Sequence, residues 1–477
     1  MRVPPVKNRR TYRRVHGRAR WPLASGCFSY IKSLAVSCLL LCWLSGCARG
    51  PSPLGDIILI TVDTLRADHM GIYGYSRQTT PKLNRFFKDG VVFERSYATS
   101  SYTPASIVSI LSGLLPQDHR VRLFDQLLPE GCELVTELLP VSYQRAAFVS
   151  NGVLSDGGLG IAARFDHFDD EMERRADTHS LERSARATTD AVILWLQHQC
   201  DPGRPLFLWV HYMDPHTPYT PPKAWSSAFD WEMEGSSAPQ PVVGNADRPV
   251  EAKALGRIDD YDREIAYTDA EIGRLFQSYA ELRELDEALI LFTADHGETL
   301  VERTRRFQHA YHVFEELVRV PLLMRGPDVD SSGSERLVSG VDLLPTMLAF
   351  AGKQAAPDLP GTDLRASRSS GEKAVVFVES IHRFDGNQWR AAIGQKGKWL
   401  VRVRQGPQRI VQKGFWDLAS DPEERVLRPW RDGEGVGERL LELASRDPDP
   451  AGKPSEYRKG VLTQQNVELL QAMGYVE

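Results

Sequence analysis

The stretch Ile57-Ile58-Leu59-Ile60-Thr61-Val62, opened by Gly55-Asp56 and closed by Asp63, constrains the chain more than any other. It is almost continuously apolar, rich in β-branched side chains and short. Such a run reads as a strand buried on both faces, which requires a sheet with helices above and below it. A carboxylate at the point where the strand stops, as Asp63 is, lies where open α/β sheets collect their ligands. Comparable runs recur at Val91–Tyr97, Ala146–Ser150, Leu206–Tyr212, Ala288–Phe292 and Val320–Met324, with helical patterns at Thr80–Lys88, Ser184–Gln197 and Tyr261–Ala280. Strands alternating with helices predict an α/β fold with a mixed, largely parallel sheet sandwiched by helices. Lys223–Arg248, rich in Ser, Pro, Gly and Ala, reads as a long surface loop. After a break at Gly361–Gly371, the runs Ala374–Glu379, Trp389–Ile393, Trp399–Arg404 and Gln408–Phe415 predict a strand meander in a smaller C-terminal α+β subdomain, closed by a helix at Gln464–Gly474.

A second strand end carries chemistry. The run from Ala288 leads into Thr293-Ala294-Asp295-His296-Gly297-Glu298, where a carboxylate and an imidazole followed by glycine form a ready metal corner. The plainer alternative is a capping Asp295 beside a surface His296. Upstream, Thr103-Pro104-Ala105-Ser106 precedes a helix-like stretch that stops at Ser112-Gly113. A hydroxyl at the mouth of a helix sits among unpaired N–H groups, which suits an anion or an oxyanion.

Seven segments extend these observations: Val62–Asp68 (VDTLRAD), Thr103–Ser106 (TPAS), His211–Tyr219 (HYMDPHTPY), Tyr261–Gly273 (YDREIAYTDAEIG), Thr293–Glu298 (TADHGE), Glu315–Pro327 (EELVRVPLLMRGP) and Val341–Leu348 (VDLLPTML). In this order and spacing, from about Asp56 to the C-terminus, the chain resembles the sulfatase branch of the alkaline-phosphatase superfamily. The resemblance implies that fold and an ester hydrolase. It also implies one divalent metal ion (Ca, Mn, Zn or Mg) held by Asp63, Asp295, His296 and the hydroxyl of Thr103, a hard-to-borderline ligand set. The ion matters because a free Thr hydroxyl is a weak nucleophile. His216 matches the family histidine that contacts an ester oxygen. His309 matches a basic position facing the substrate, although His312 is as plausible by count, and Asn151 lies near further substrate-binding positions. Arg66 and Asp68 read as an ion pair or cap that fixes the Asp63 loop, and Tyr261–Gly273 as a core-facing helix.

The sequence also departs from the family. Sulfatases that use formylglycine carry Cys or Ser, then x-Pro-Ser-Arg; here Thr103 takes the first place, Ala105 the Pro place and Ile107 the Arg place, while Ser106 is kept. Thr cannot be oxidised to an aldehyde hydrate. Thr64 replaces the usual second Asp. The expectation is therefore a metal-dependent hydrolase of sulfate, phosphate or phosphonate esters with a Thr nucleophile, acting on a small-molecule or glycan ester. The alternatives are a phospho-group transferase working on an envelope lipid or glycan, and a non-catalytic glycan-binding pseudoenzyme.

Residues 1–46 contain nine Lys or Arg, no acid, and an apolar stretch from Leu34 to Leu44. That is the pattern of a secretion signal. Leu44-Ser45-Gly46-Cys47 looks like a bacterial lipobox with Cys47 lipidated, against a plain signal peptide or an uncleaved anchor. A lipid anchor implies a membrane partner and a bacterial cell-envelope location. The division expected is 1–46 signal peptide, 47–55 linker, 56–370 catalytic domain and 371–477 subdomain. The whole chain has 58 basic and 63 acidic residues, net −5; without the leader's nine basic residues it has 49 against 63, net −14. Such an acidic domain argues against a nucleic-acid partner. Of six cysteines only Cys132 and Cys200 lie beyond the leader and lipobox, with no spacing that decides whether they pair.

Overall fold

The computed structural model describes residues 54–124, 126–174, 181–229, 251–329, 334–365, 375–381, 387–404, 409–430 and 435–446. The leader with Cys47, most of the expected 223–248 loop, residues 366–371 of the expected break and the 464–474 helix lie outside the described residues.

Eight strands form the main sheet: β1 (Ile57–Val62), β2 (Val91–Tyr97), β3 (Gln144–Val149), β4 (His167–Asp169), β7 (Leu206–Tyr212), β8 (Leu289–Ala294), β9 (Leu322–Arg325) and β10 (Ser334–Ser339), the numbers β5 (Glu173–Arg174) and β6 (Leu181–Glu182) belonging to a small separate hairpin. Their spatial order is β10-β2-β9-β8-β1-β7-β3-β4. β9 runs antiparallel to both neighbours, and the other pairings in this sheet are parallel. All six residues of β1 are buried, as the apolar run requires for a strand covered on both faces. Alternate residues feed two cores: Ile57 and Leu59 pack into one with the Thr103–Ser112 helix, Ile58 and Ile60 into the other with the long Ala252–Leu282 helix. Each such Ile or Leu contributes roughly 1.5–3 kcal/mol by leaving water.

Register is what builds the site. Val62 of β1 stands opposite both Tyr212 of β7 and Ala294 of β8. Asp63 and Asp295 therefore leave the sheet side by side at its carboxyl edge.

The second sheet is antiparallel, ordered β11 (Val375–Ile381), β12 (Asn387–Gly394), β13 (Lys398–Arg404) and β14 (Arg409–Trp416), with the Val436–Arg446 helix packed on β12 and β13. It is the expected meander. β11 joins the main body where Glu379 donates its backbone N–H to Thr99 O (2.9 Å). Cys132 and Cys200 are both free thiols. Among the described residues no helix is long and apolar enough to cross a membrane.

Element limits differ from expectation where polarity masks them. The long helix begins at Ala252 rather than Tyr261, because Ala254 and Ile258 continue the buried stripe of Tyr261 and Ile265. β9 begins at Leu322, just after Pro321, and β10 is an edge strand with the exposed Glu335 as its second residue.

Candidate active site

Asp63 is fully buried directly beyond β1, and its two oxygens are treated differently. Oδ2 accepts from Asn151 Nδ2 at 2.6 Å and lies 3.4 Å from His211 Nε2. His211 is itself fixed in β7, its Nδ1 2.9 Å from Thr61 Oγ1, which also accepts from Trp209 Nε1. Oδ1 has no hydrogen-bond partner among the described residues, and neither has Oδ2 of Asp295. Asp295 Oδ1 accepts from the backbone N–H groups of Thr64 (3.2 Å) and His296 (2.7 Å). Thr64 reaches that position with φ of 53°, a left-handed conformation uncommon for a β-branched residue. Tyr261 OH donates to its carbonyl (2.8 Å) and holds the turn.

His296 donates from Nδ1 to Gly297 O (2.8 Å), so in the neutral ring the lone pair sits on Nε2. That nitrogen is 3.0 Å from Thr103 Oγ1, 3.5 Å from Asp295 Oδ2 and 4.0 Å from Asp63 Oδ1. Thr103 is the first residue of the Thr103–Ser112 helix, whose ten residues are all buried. Ser106 Oγ donates to Asp295 O (2.6 Å) and ties the helix to the strand end. Ile107 points into the core and is fully buried.

Two further imidazoles complete the constellation. The His309 ring lies tilted against His296 with ring centres 4.6 Å apart, and His216 meets His309 edge-on at 4.9 Å. His216 donates from Nδ1 to Thr217 O (2.6 Å). His309 Nδ1 is 3.3 Å from Glu298 Oε1, while Tyr219 OH donates to the other Glu298 oxygen at 3.2 Å. Phe307 and Ala310, on either side of His309, have φ of 56° and 65°, and Ala310 N–H donates to Ser101 O (3.0 Å). Backbone held in such conformations costs roughly 1–3 kcal/mol per residue and collects at functional sites.

The electrostatics follow from burial. Burial alone would raise the Asp63 carboxyl, but the His216, His211 and His296 imidazoles hold it well below the usual carboxylate range. Burial and the neighbouring Asp63 charge push Asp295 up. Burial opposes charging of His296, yet Asp295 and Asp63 outweigh it and raise the imidazole. Burial and then His296 push His309 down to about 3, burial lowers His216, and burial pushes Glu298 up to about 7.

Asp63, Asp295 and His296 offer one ligand atom each, all within 4.8 Å of one another. Two buried carboxylate oxygens without donors are costly. A divalent cation would satisfy both, and two carboxylates, an imidazole and a hydroxyl fit that group.

The structure thus brings Asp63, Thr103, Asp295, His296, His216 and His309 into one pocket. Asn151 is there too, but its amide serves Asp63 on one side and caps Val153 N–H (3.0 Å) on the other. His312 lies apart, against Phe314 and Trp389. Arg66 makes the expected bidentate pair with Asp68 (2.9 and 2.7 Å) and adds Glu302 (2.6 Å). The sequence reading assigned no role to His211 or Glu298. The available signal for His211 is a titratable side chain in the otherwise apolar strand Leu206–Tyr212.

A carboxylate–imidazole corner at the carboxyl edge of a mixed, mostly parallel sheet, with a helix-borne hydroxyl against it and a separate antiparallel sheet alongside, defines an alkaline-phosphatase-like ester hydrolase. The sulfatase family model matches residues 56–353, and the chain belongs to that family. It is 24% identical over 441 residues to an arylsulfatase of Clostridium perfringens, covering 77% of this chain and 89% of that protein. It is 31% identical over 169 residues to a choline-sulfatase of Rhizobium meliloti, covering 34% of this chain and 31% of that one. Among solved structures, BT4656 in complex with its substrate D-glucosamine-2-N,6-O-disulfate superposes with a TM-score of 0.66 (18% identity, 84% of this chain and 99% of that one). The phosphonate monoester hydrolase of Agrobacterium radiobacter superposes with a TM-score of 0.64 (18% identity, 82% and 96%).

Proposed function

We propose that this enzyme is a metal-dependent hydrolase of sulfate, phosphate or phosphonate esters whose nucleophile is Thr103. The observation that carries this reading is the placement of Thr103 Oγ1 3.0 Å from His296 Nε2, beside two buried carboxylate oxygens that lack donors. Asp63, Asp295, His296 and the Thr103 hydroxyl would hold the ion. When bound, a divalent cation lowers the pKa of a coordinated hydroxyl and neutralises the non-bridging oxygens of the ester. Relatives carrying the names arylsulfatase and choline-sulfatase, and a structural neighbour that is a phosphonate monoester hydrolase, support both halves of the substrate range.

The chain's own residues supply the rest. Thr103 Oγ1, its proton released to solvent as an imidazole takes one up, bonds to sulfur or phosphorus as the bond to the alcohol oxygen breaks, leaving a threonyl ester. The departing oxygen takes a proton from His216 or His309. Burial keeps both imidazoles neutral at rest, and the arriving ester anion, a negative charge in a dry pocket, favours their protonation. Water then attacks the threonyl ester, the same imidazole accepts its proton, and the inorganic or phosphonic anion leaves with Thr103 restored. Asn151 and His211 are positioning residues that turn Asp63 so that Oδ1 faces the corner. Glu298 and Tyr219 orient His309.

Matched aryl sulfate, phosphate, phosphodiester and phosphonate esters, assayed with metal-stripped protein and a panel of divalent ions, test the reading. The expected result is ion-dependent release of the phenol from at least one ester. No turnover of any of them, together with no ion retained after purification, sinks it. The leader and Cys47 place the enzyme, in this proposal, in a bacterial envelope as a lipoprotein; acyl labelling that persists in Cys47→Ala removes that placement.

A further inference from the structure

One guanidinium reaches the segments that carry His216 and His309. Arg257, half-buried on the long helix, lies 3.8 Å above the Phe307 ring centre and 5.5 Å from that of Tyr219, and its Nη2 is 3.4 Å from Thr217 Oγ1. It is thereby fixed against two segments at once, the one that carries His216 and the one that carries His309.

Its charge is uncompensated among the described residues. The acids nearest in sequence are engaged elsewhere, Asp259 with Arg77 (2.7 Å) and Asp260 with Arg263 (2.9 Å). A guanidinium spread on aromatic faces is oriented by its quadrupolar attraction to the rings, yet that attraction leaves most of its five N–H donors unspent. The planar fork that remains matches a carboxylate or a sulfate in bidentate fashion. The side of the pocket also matters. Arg257 contacts the segments of the two imidazoles assigned to the departing alcohol.

We propose that Arg257 binds a second anionic group, a carboxylate or a sulfate, carried by the alcohol half of the substrate. The enzyme's preferred substrates are then esters of acidic alcohols, such as an acidic sugar unit. This inference rests on the ester hydrolysis proposed above.

The test is a pair of aryl esters with the same transferring group and matched leaving-group acidity, one with a ring carboxylate and one without. The expected ratio of their kcat/KM values favours the carboxylated ester in the wild type. It falls roughly tenfold in Arg257→Met, mainly through KM, and is partly kept in Arg257→Lys. In the wild type alone, the carboxylated phenol inhibits more strongly than the plain phenol, and salt weakens only that difference. A ratio that is the same in wild type and Arg257→Met, or equal inhibition by the two phenols, overturns the assignment of Arg257 and leaves the hydrolase standing. Failure of the wild type to hydrolyse either ester would instead count against the hydrolase.

Discussion

Asp63 and Asp262 are both fully buried aspartates, and they are buried for opposite reasons. Asp262, on the long helix, is saturated: His69 Nδ1 and Tyr75 OH lie 2.6 and 2.7 Å from its oxygens, and Arg77 Nη1 is at 2.7 Å. The residues it gathers come from the loop after β1, so the carboxylate fastens that loop to the helix. Asp63 has donors on one oxygen only, while the other faces Asp295 and His296. A buried charge that is fully bonded belongs to the scaffold, whereas one left half-bonded beside a second carboxylate stores a demand for a cation. Burial and charge alone do not separate the two; the account of each oxygen does.

The largest effect that would test this contrast is on turnover. Thr103→Ala should lower kcat by on the order of 10⁴-fold or more while leaving the denaturation midpoint nearly unchanged. An equal rate for the two proteins on a hydrolysed ester would remove the nucleophile. Next is stability at the saturated site: Asp262→Asn, measured by denaturant unfolding, should cost about 3 kcal/mol, because His69, Tyr75 and Arg77 then face a neutral partner, with Asp259 alone left to balance Arg77. At Asp63 the cost should be smaller. With Asp63→Asn the amide keeps the bonds from Asn151 and His211 on its oxygen and turns its NH2 toward Asp295, and the relief of like-charge repulsion there offsets part of the attraction to His216, His211 and His296 that is lost with the charge. Metal-stripped Asp63→Asn should lose about 1 kcal/mol or less, and the rise in thermal midpoint that divalent ions give the wild type should disappear. A large loss of stability there would mean that the corner is scaffold after all.

The smallest effect concerns a buried group satisfied in its neutral form. His119 accepts from Val121 N–H (3.1 Å) and sits 3.1 Å from Ala105 O beneath the helix that bears Thr103. Burial, and then the Arg122 charge, push its imidazole down to about 3. The folded value lies below the unfolded value of about 6.5, so folding expels a proton in acid. The stability contribution is complete above pH 6.5 and is lost as pH falls toward 3. His119→Gln should flatten the thermal midpoint between pH 6.5 and 4; an unchanged slope would move the acid sensitivity to other groups.

Two strands buried along their whole length were legible to the residue: β1 and β7 fall on Ile57–Val62 and Leu206–Tyr212 as the apolar runs predict, since nothing but burial selects such runs. β2 also falls on Val91–Tyr97 although its Glu94 is exposed, whereas β3 and β8 are displaced from the expected Ala146–Ser150 and Ala288–Phe292 by one or two residues at each end. β10 was not legible, because an edge strand reading Ser-Glu-Arg-Leu-Val-Ser has only its inner partners to define it. The same division holds at the site. Asp63, Asp295 and His296 stand at strand ends, where position along the chain already implies position in space. Asn151 was legible as a pocket residue but its target, Asp63 Oδ2, was not, and nothing in Thr293–Glu298 tells that Glu298 serves His309. Which neighbour a side chain serves depends on strand order, and the sequence does not write strand order down.

The two ends of the corner come from distant parts of the chain. The contact from Thr64 to Asp295 spans 231 positions, and the one from Thr61 to His211 spans 150. During vectorial synthesis β1 emerges long before either strand that will flank it. The corner can therefore have no part in guiding early collapse; any ion it takes would be a late passenger, admitted once the sheet has closed around its berth.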